Sequence, residues 1–324
     1  MDSRLESFPK AVFGLRMQRF HHSHFVDVEA LLLLKNRQRI SVCIPTLNEA
    51  ETIGTIVTTV RMELIERWPL VDEILVIDSD STDGTREIAA RAGARVLRSA
   101  EIAPALGTHS GKGENLWKAL HACCGDIVCY LDGDITNFHA GFVTGLVGPL
   151  LADPEIDYVK AYYQRPLIHG DALHSNGGGR VSEILVRPLI SQFYPELTGI
   201  LQPLSGEYAA RRGRLESLAF PTGYGVEIAH LIDLAQAGQL GRIAQTDLVK
   251  RIHRNRDDGE LGDTSFAILQ VILRRLVRDG KITLTAPLTD LHQRWLIDET
   301  SVRLISKHIP EPERPPIAGF TPRE

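Results

Sequence analysis

Ile40-Ser-Val-Cys-Ile-Pro-Thr-Leu-Asn-Glu49 opens the stretch that decides the fold. Its apolar run has strand length and closes at Pro45, which cannot donate to a hydrogen-bond ladder. Polar groups come immediately after it. Three further runs of this kind, Glu73–Ile77, Ala94–Leu97 and Asp126–Leu131, alternate with the longer amphipathic runs Glu51–Arg67, Thr85–Ala92 and Gly113–Cys123. Alternation of this sort predicts βαβ units in an α/β fold, a mainly parallel sheet with helices on both faces. In such open sheets ligands bind beyond the carboxyl ends of the strands. The informative residues should therefore stand directly after each apolar run.

Downstream of Asp134 the pattern is less regular. It predicts helices over His139–Leu151, Val181–Phe193, Val226–Ala237 and Ser265–Arg278, and strands over Tyr158–Tyr163 and Ile243–Val249. Upstream, a helix is expected over Val28–Lys35, with Leu31 to Leu34 as one buried face. The tail Pro310–Glu324 carries five prolines and little apolar content, which predicts a poorly ordered or wrapping arm. No internal repeat is visible.

Composition narrows the function classes. The chain has 324 residues, 43% hydrophobic and 24% charged, close to globular averages. The net charge of -5 argues against a nucleic-acid partner, which would need a basic footprint. No apolar run approaches the ~20 residues of a membrane span. The Leu31 to Leu34 run sits too late for a secretory signal. Cys43, Cys123, Cys124 and Cys129 form no CxxC pair, so they are expected to be small buried hydrophobes in a reducing, cytoplasmic setting.

Four polar clusters stand at the predicted strand ends. Pro45–Glu49 leaves a loop with free backbone groups, or a capped turn. Asp78-Ser-Asp-Ser-Thr-Asp-Gly84 suits a ribose or base edge, or caps the next helix through Ser81 or Thr82. Gly111-Lys-Gly113 lets a lysine reach a phosphate with little obstruction, although the Walker A spacing is absent. Asp132-Gly-Asp134 places two carboxylates after a buried strand, which is costly without a cation or a hydrogen-bonded role; the pair suits a hard divalent ion, or a capped turn.

Together these clusters resemble a GT-A nucleotide-sugar glycosyltransferase. Gly177-Gly-Gly-Arg-Val-Ser182, Gln202-Pro-Leu-Ser-Gly-Glu-Tyr208, Gly223-Tyr-Gly-Val-Glu-Ile228 and His253-Arg-Asn-Arg256 narrow the resemblance to the actinobacterial glucosyl- and mannosyl-3-phosphoglycerate synthases. The resemblance spans roughly Arg39 to Leu261. It implies a GT-A fold with a Rossmann-like nucleotide-binding half. Within it lie a nucleotide-sugar half (40–138) and an acceptor and metal half of the same catalytic domain (139–284); a helical N-terminal segment (1–39) and a C-terminal arm (285–324) flank them and carry none of the resemblance. Pro45, Thr46, Leu47, Glu49 and Ser79 would hold base and ribose. Lys112, Asp132, Gly133, Leu204, Tyr224, Glu227 and Arg251 complete the donor site, with Tyr224 and Glu227 on the sugar hydroxyls. Asp134 and His253 would bind the divalent ion, Mg²⁺ with Mn²⁺ also able to serve. Gly179, Arg180, Ser182 and Asn255 would hold 3-phosphoglycerate, with Arg251 as a helper; a guanidinium beside a helix start suits a phosphate or carboxylate. A homodimer is implied as well.

Two departures bear on the donor. The glucosyl members typically carry Pro-Ala-Leu-Asn-Glu and Asp-Ser-Asp, where this chain has Thr46 and Gly133. That moves the expectation to mannose transfer from GDP-mannose, giving mannosyl-3-phosphoglycerate, with the glucosyl enzyme using UDP- or GDP-glucose as the alternative. Asp134 and Glu227 are the expected catalytic carboxylates. Because the resemblance gives Glu227 to sugar binding, retention is expected by front-side attack, the leaving diphosphate helping to deprotonate the acceptor.

Overall fold

The computed structural model describes residues 17–165, 167–169, 172–174, 179–252, 258–297 and 300–319. In chain order its principal elements are β1 (Gln18–His21), α1 (Val28–Lys35), β2 (Ile40–Thr46), α2 (Ile53–Arg61), β3 (Glu73–Asp78), α3 (Thr85–Ala92), β4 (Arg95–Arg98), α4 (Lys112–Ala122), β5 (Ile127–Tyr130), α5 (Gly141–Ala152), β6 (Tyr158–Gln164), α6 (Arg187–Phe193), β7 (Tyr208–Arg211), α7 (Val226–Gln236), β8 (Ile243–Lys250) and α8 (Asp258–Arg278). The eight strands form one sheet in the order β1-β8-β6-β7-β5-β2-β3-β4. Only β7 is antiparallel to its neighbours; the remaining pairs are parallel. Seven strands thus deliver their carboxyl ends to one edge, and the reversed strand delivers its beginning to that same edge.

Both faces are covered, which explains why β2 reads as an almost unbroken apolar run. Val42 and Ile44 pack with Ile56, Val57 and Phe142 on one face. Cys43, Val128 and Tyr130 pack with Leu116, Trp117 and Ile228 on the other. Registers place the strand ends. β2 pairs with β3 to its last residue, Thr46 opposite Asp78. β5 stops pairing at Tyr130 opposite Cys43, so the chain after it peels away beside Pro45 and Thr46.

The expected β2, α1 and α3 match their residues, and the other expected elements shift by a few residues. The long helices Glu51–Arg67 and Val181–Phe193 each include a π-turn, Met62–Glu66 and Ser182–Val186. Several expectations need correction. Leu31 is buried, but Leu33 is 82% and Leu34 44% exposed; consecutive residues lie 100° apart on a helix, so four leucines in a row cannot share a face. Cys124 is exposed, unlike the three other cysteines. The segment before β2 is not only helical, because β1 adds an edge strand beside β8. Among the elements not expected are also β7 and an antiparallel hairpin, Leu291–Ile297 with Val302–His308.

The tail wraps. Glu313–Arg314 pairs with Phe220–Pro221, and Trp117 Nε1 donates to Pro315 O at 3.0 Å. Arg314 makes a bidentate pair with buried Glu114, both contacts at 2.8 Å, the strong geometry for guanidinium and carboxylate. Among the described residues no helix is long and apolar enough to cross a membrane.

Candidate active site

A connected network of charges lies where β5, β7, β6 and β8 meet the shared edge. Lys112 Nζ stands 2.5 Å from Asp132 Oδ1 and 2.8 Å from Glu227 Oε1. Arg251 Nη2 lies 2.9 Å from Asp132 Oδ2 and 2.6 Å from Asp134 Oδ1, while its Nε lies 2.7 Å from Glu207 Oε1. Glu207 also accepts from the Tyr163 hydroxyl, which accepts from Arg165 Nη2 at 3.0 Å. The structure thus joins Lys112, Asp132, Asp134, Glu227 and Arg251, which lie far apart in the chain.

Local geometry explains the positions. Gly111 holds φ +135°, and Cβ atoms on Gly111 or Gly113 would strike the backbone of Pro221–Gly223. The first amides of α4 are already spent: Gly113 N donates to Gly223 O at 3.1 Å and Glu114 N to Thr222 O at 2.9 Å. The two glycines therefore serve close packing that fixes Lys112, and the backbone there is not a phosphate cradle. Gly206, just before the reversed strand, is similarly constrained, because a Cβ would meet Lys112 Nζ and Asp132.

The electrostatics are set by burial and pairing. Burial works to raise the Asp132 carboxyl, but Lys112 and Arg251 overcome it and hold it well below the usual carboxylate range. Burial works against the Lys112 ammonium, but Asp132 and Glu227 hold its pKa above the ordinary value. Glu207 is pushed up by burial despite Arg251. Lys160, fully buried beneath the site, donates to Ser205 O, and burial brings it down to about 7. Four carboxylates thus surround Lys112 and Arg251, Glu207 and Glu227 from the buried side and Asp132 and Asp134 at the mouth of the site. Asp132 and Asp134 remain 21% and 24% exposed. This donor set fits a hard divalent cation. Asp134 is the expected ligand in place; His253, like Asn255, lies outside the described residues. Among the described residues no group of three or more His, Cys, Asp or Glu is arranged to hold a metal ion.

A second group of expected residues adjoins the network. A Cβ on Gly133 would stand 3.2 Å from Thr46 Cγ2, 3.2 Å from Glu49 Cγ and 3.4 Å from Pro45 O. The Thr46 hydroxyl donates inward to Asp78 at 3.0 Å. Thr46 therefore fills space beside Gly133 with its methyl and adds no hydroxyl to the pocket. Ser79 N binds Thr46 O at 3.0 Å, and its hydroxyl meets Asn115. Leu47 is exposed on the loop and Tyr224 partly so; Leu204 is half-buried two residues before Gly206. Gly179 (φ +86°), exposed Arg180 and buried Ser182 stand at the start of the π-turn that leads into α6.

Ser81 and Thr82 do not cap α3. The cap position is Gly84, and Asp83 instead accepts from Thr85 N and its hydroxyl. The sequence reading missed Gly206, Glu207, Tyr163, Arg165 and Lys160. The available signal was the Ser205-Gly-Glu-Tyr208 block itself, a glycine and an acid directly before a short strand.

Comparisons with known proteins show the family and the fold. The glycosyl transferase family 2 profile matches residues 41–198. A glucosyl-3-phosphoglycerate synthase from Petrotoga mobilis is 50% identical over 92% of each chain. Another from Mycolicibacterium paratuberculosis is 41% identical over 91% of this chain and 89% of its own. The crystal structure of the Mycobacterium tuberculosis glucosyl-3-phosphoglycerate synthase, in complex with Mn²⁺, UDP and phosphoglyceric acid, superposes with a TM-score of 0.82 at 38% identity, covering 94% of this chain and 99% of that one. The same enzyme has been crystallised with Mg²⁺ and UDP and with Mn²⁺, UDP-glucose and phosphoglyceric acid.

Proposed function

This chain belongs to the glucosyl-3-phosphoglycerate synthase family of GT-A glycosyltransferases, and on that premise we propose that it transfers glucose from UDP-glucose to the 2-hydroxyl of D-3-phosphoglycerate with retention. The observation that carries the reading is the network that ties the two aspartates of Asp132-Gly-Asp134 to Lys112, Arg251 and Glu227 at the strand ends. The donor is supported by the relatives: the Petrotoga, Mycolicibacterium and Mycobacterium proteins are glucosyl enzymes, and the liganded structures hold UDP or UDP-glucose. GDP-mannose finds no such support. Its ground in the sequence was Thr46 and Gly133, and these two residues compensate each other. The Thr46 methyl stands where a Cβ at 133 would crowd it, and its hydroxyl is used by Asp78.

Asp134, with His253, would hold the divalent ion, which when bound neutralises the leaving diphosphate as a Lewis acid. Lys112 links Asp132 to Glu227 and so fixes the carboxylate assigned to the sugar hydroxyls. Arg180, Ser182 and Asn255 would bind the acceptor, a charge-assisted contact of the type suited to phosphate. Glu227 is spent on Lys112 and the sugar. We therefore keep front-side attack, the acceptor proton passing to the departing diphosphate oxygen. The homodimer remains part of the proposal and is checked by light scattering in solution.

The test is UDP release from UDP-glucose with and without D-3-phosphoglycerate, with the anomeric configuration of the product read by NMR. Acceptor-dependent release with an α-linked product supports the proposal. Pyrophosphate release, or UDP release indifferent to phosphoglycerate, contradicts it.

A further inference from the structure

On the sheet face covered by α2 and α5 a cavity of about 420 Å³ lies between the turn after β1, the start of α1, the residues after α2 and the start of α5. Two imidazoles line it: His22, directly after β1, and His139, two residues before α5. Neither belongs to the network around Asp132. Their ring centroids are 5.4 Å apart with planes inclined by 54°. Both rings border one place, since a Cβ on Gly141 would stand 2.9 Å from His22 Nδ1 and 2.8 Å from both Nδ1 and Cε1 of His139. Glycine leaves that place open. His22 Nδ1 is buried and has no hydrogen-bond partner.

We propose that His22 and His139 form a second metal site, which takes a borderline divalent transition ion such as Zn²⁺ through His22 Nδ1 and one ring nitrogen of His139, with solvent completing the coordination. The spacing fits. A Zn–N bond is about 2.0–2.1 Å, and a tetrahedral angle at the ion then separates two imidazole centres by roughly 5 Å. Metal ligation needs neutral imidazole. Burial lowers the pKa of both rings, with His21 adding to the effect on His22 and His22 on His139, against an opposing pull from Asp247 on His22. Imidazole nitrogen selects Zn²⁺, Cu²⁺ or Ni²⁺ over Mg²⁺, which wants oxygen. Asp27, Glu29 and Glu63 line the same cavity with one cation, Arg67, which pairs with Glu63 at 3.2 Å, so the lining carries a net negative charge that favours a cation there. A bound ion would tie the segment around β1 to α5.

The experiment titrates Zn²⁺ into the full chain by calorimetry and follows melting temperature, using the wild type and an Asp134→Ala variant that lacks the expected catalytic ligand. We expect one Zn²⁺ per chain in Asp134→Ala and a rise in melting temperature. Because changes even to outer-shell partners cost 10–100-fold in metal affinity, loss of a direct ligand should weaken binding at least about tenfold. His139→Ala should therefore abolish the thermal shift at a small excess of Zn²⁺. His139→Gln, which keeps a polar side chain at the surface, should do the same, and His24→Ala should leave binding unchanged. Co²⁺ should give a visible d–d band that His22→Ala removes. Zn²⁺ binding that survives His139→Ala unchanged, or no binding in Asp134→Ala at a small excess of the ion, overturns the proposal.

Discussion

The Asp78–Gly84 loop and the Asp132–Asp134 loop leave the same edge of the same sheet, and their carboxylates do opposite work. Asp78 is fully buried and wholly consumed by the fold. Its Oδ1 takes Ser81 N at 2.9 Å and Arg86 Nη1 at 3.0 Å, and its Oδ2 takes the hydroxyls of Thr46 and Ser81 at 3.0 and 2.5 Å. Asp132 and Asp134 keep part of their surface open and face Lys112 and Arg251. The difference lies in register. β3 pairs with β2 up to Asp78 itself, which holds that carboxylate inside the sheet, whereas β5 stops short and releases Asp132. An acid after a parallel strand is thus a candidate for chemistry only where its own strand has stopped pairing.

Breaking the two loops should separate activity from stability. Asp134→Ala should nearly abolish turnover, since metal stabilisation of leaving-group charge is worth several kcal/mol, while the melting temperature stays close to wild type. Asp78→Ala should do the reverse. It leaves Arg86 and two hydroxyls without their buried acceptor and should cost about 3 kcal/mol or more of stability by chemical denaturation. Equal behaviour of the two variants would erase the distinction.

A sharper probe stands between the loops. Gly206→Ala pushes a methyl into the Lys112–Asp132 pair, and displacement of a site by about 1 Å can cost roughly 10²-fold in rate. Its kcat/KM should fall on that scale with the fold intact. Gly133→Ser should lower kcat/KM by itself, and Thr46→Ala should rescue it by removing the methyl at 3.2 Å. Overpacking costs about 1–3 kcal/mol, so a double-mutant cycle should show a coupling of about 1 kcal/mol or more. Additive effects would mean that the two residues act separately on the donor.

The smallest effect concerns Lys160. Burial takes its pKa from 10.5 down to about 7. Between those values the unfolded chain binds more protons than the native one, so this lysine makes stability rise with pH across the window. Lys160→Met should flatten that rise. Denaturation midpoints of both proteins from neutral to alkaline pH check it, and parallel curves would show that the amine is not held neutral.

Much of this was legible in the sequence because apolar period and strand-end position carry the parallel sheet. Asp132, Asp134, Lys112 and Glu227 were reached that way or through the family resemblance. The reversed strand was not legible. Tyr208-Ala-Ala-Arg211 has weak strand character of its own, and becomes a strand because β5 and β6 pair with it on both sides. A search confined to the carboxyl ends of strands therefore missed Gly206 and Glu207, which precede one. β1, Gln18-Arg-Phe-His21, has a single large apolar residue and owes its place to the edge of β8. The donor expectation failed to gather support for a different reason: residue 46 and residue 133 were read one at a time, and only the structure shows them sharing one volume.

The central claim is that a glucosyl transfer to phosphoglycerate is built on these strand ends. Side-by-side kcat/KM values for UDP-glucose and GDP-mannose, each with D-3-phosphoglycerate and Mg²⁺, test it most directly. A base pocket that leaves one hydrogen-bonding edge unpaired loses about 1–3 kcal/mol, so UDP-glucose should be preferred at least about tenfold. A clear preference for GDP-mannose would contradict the account.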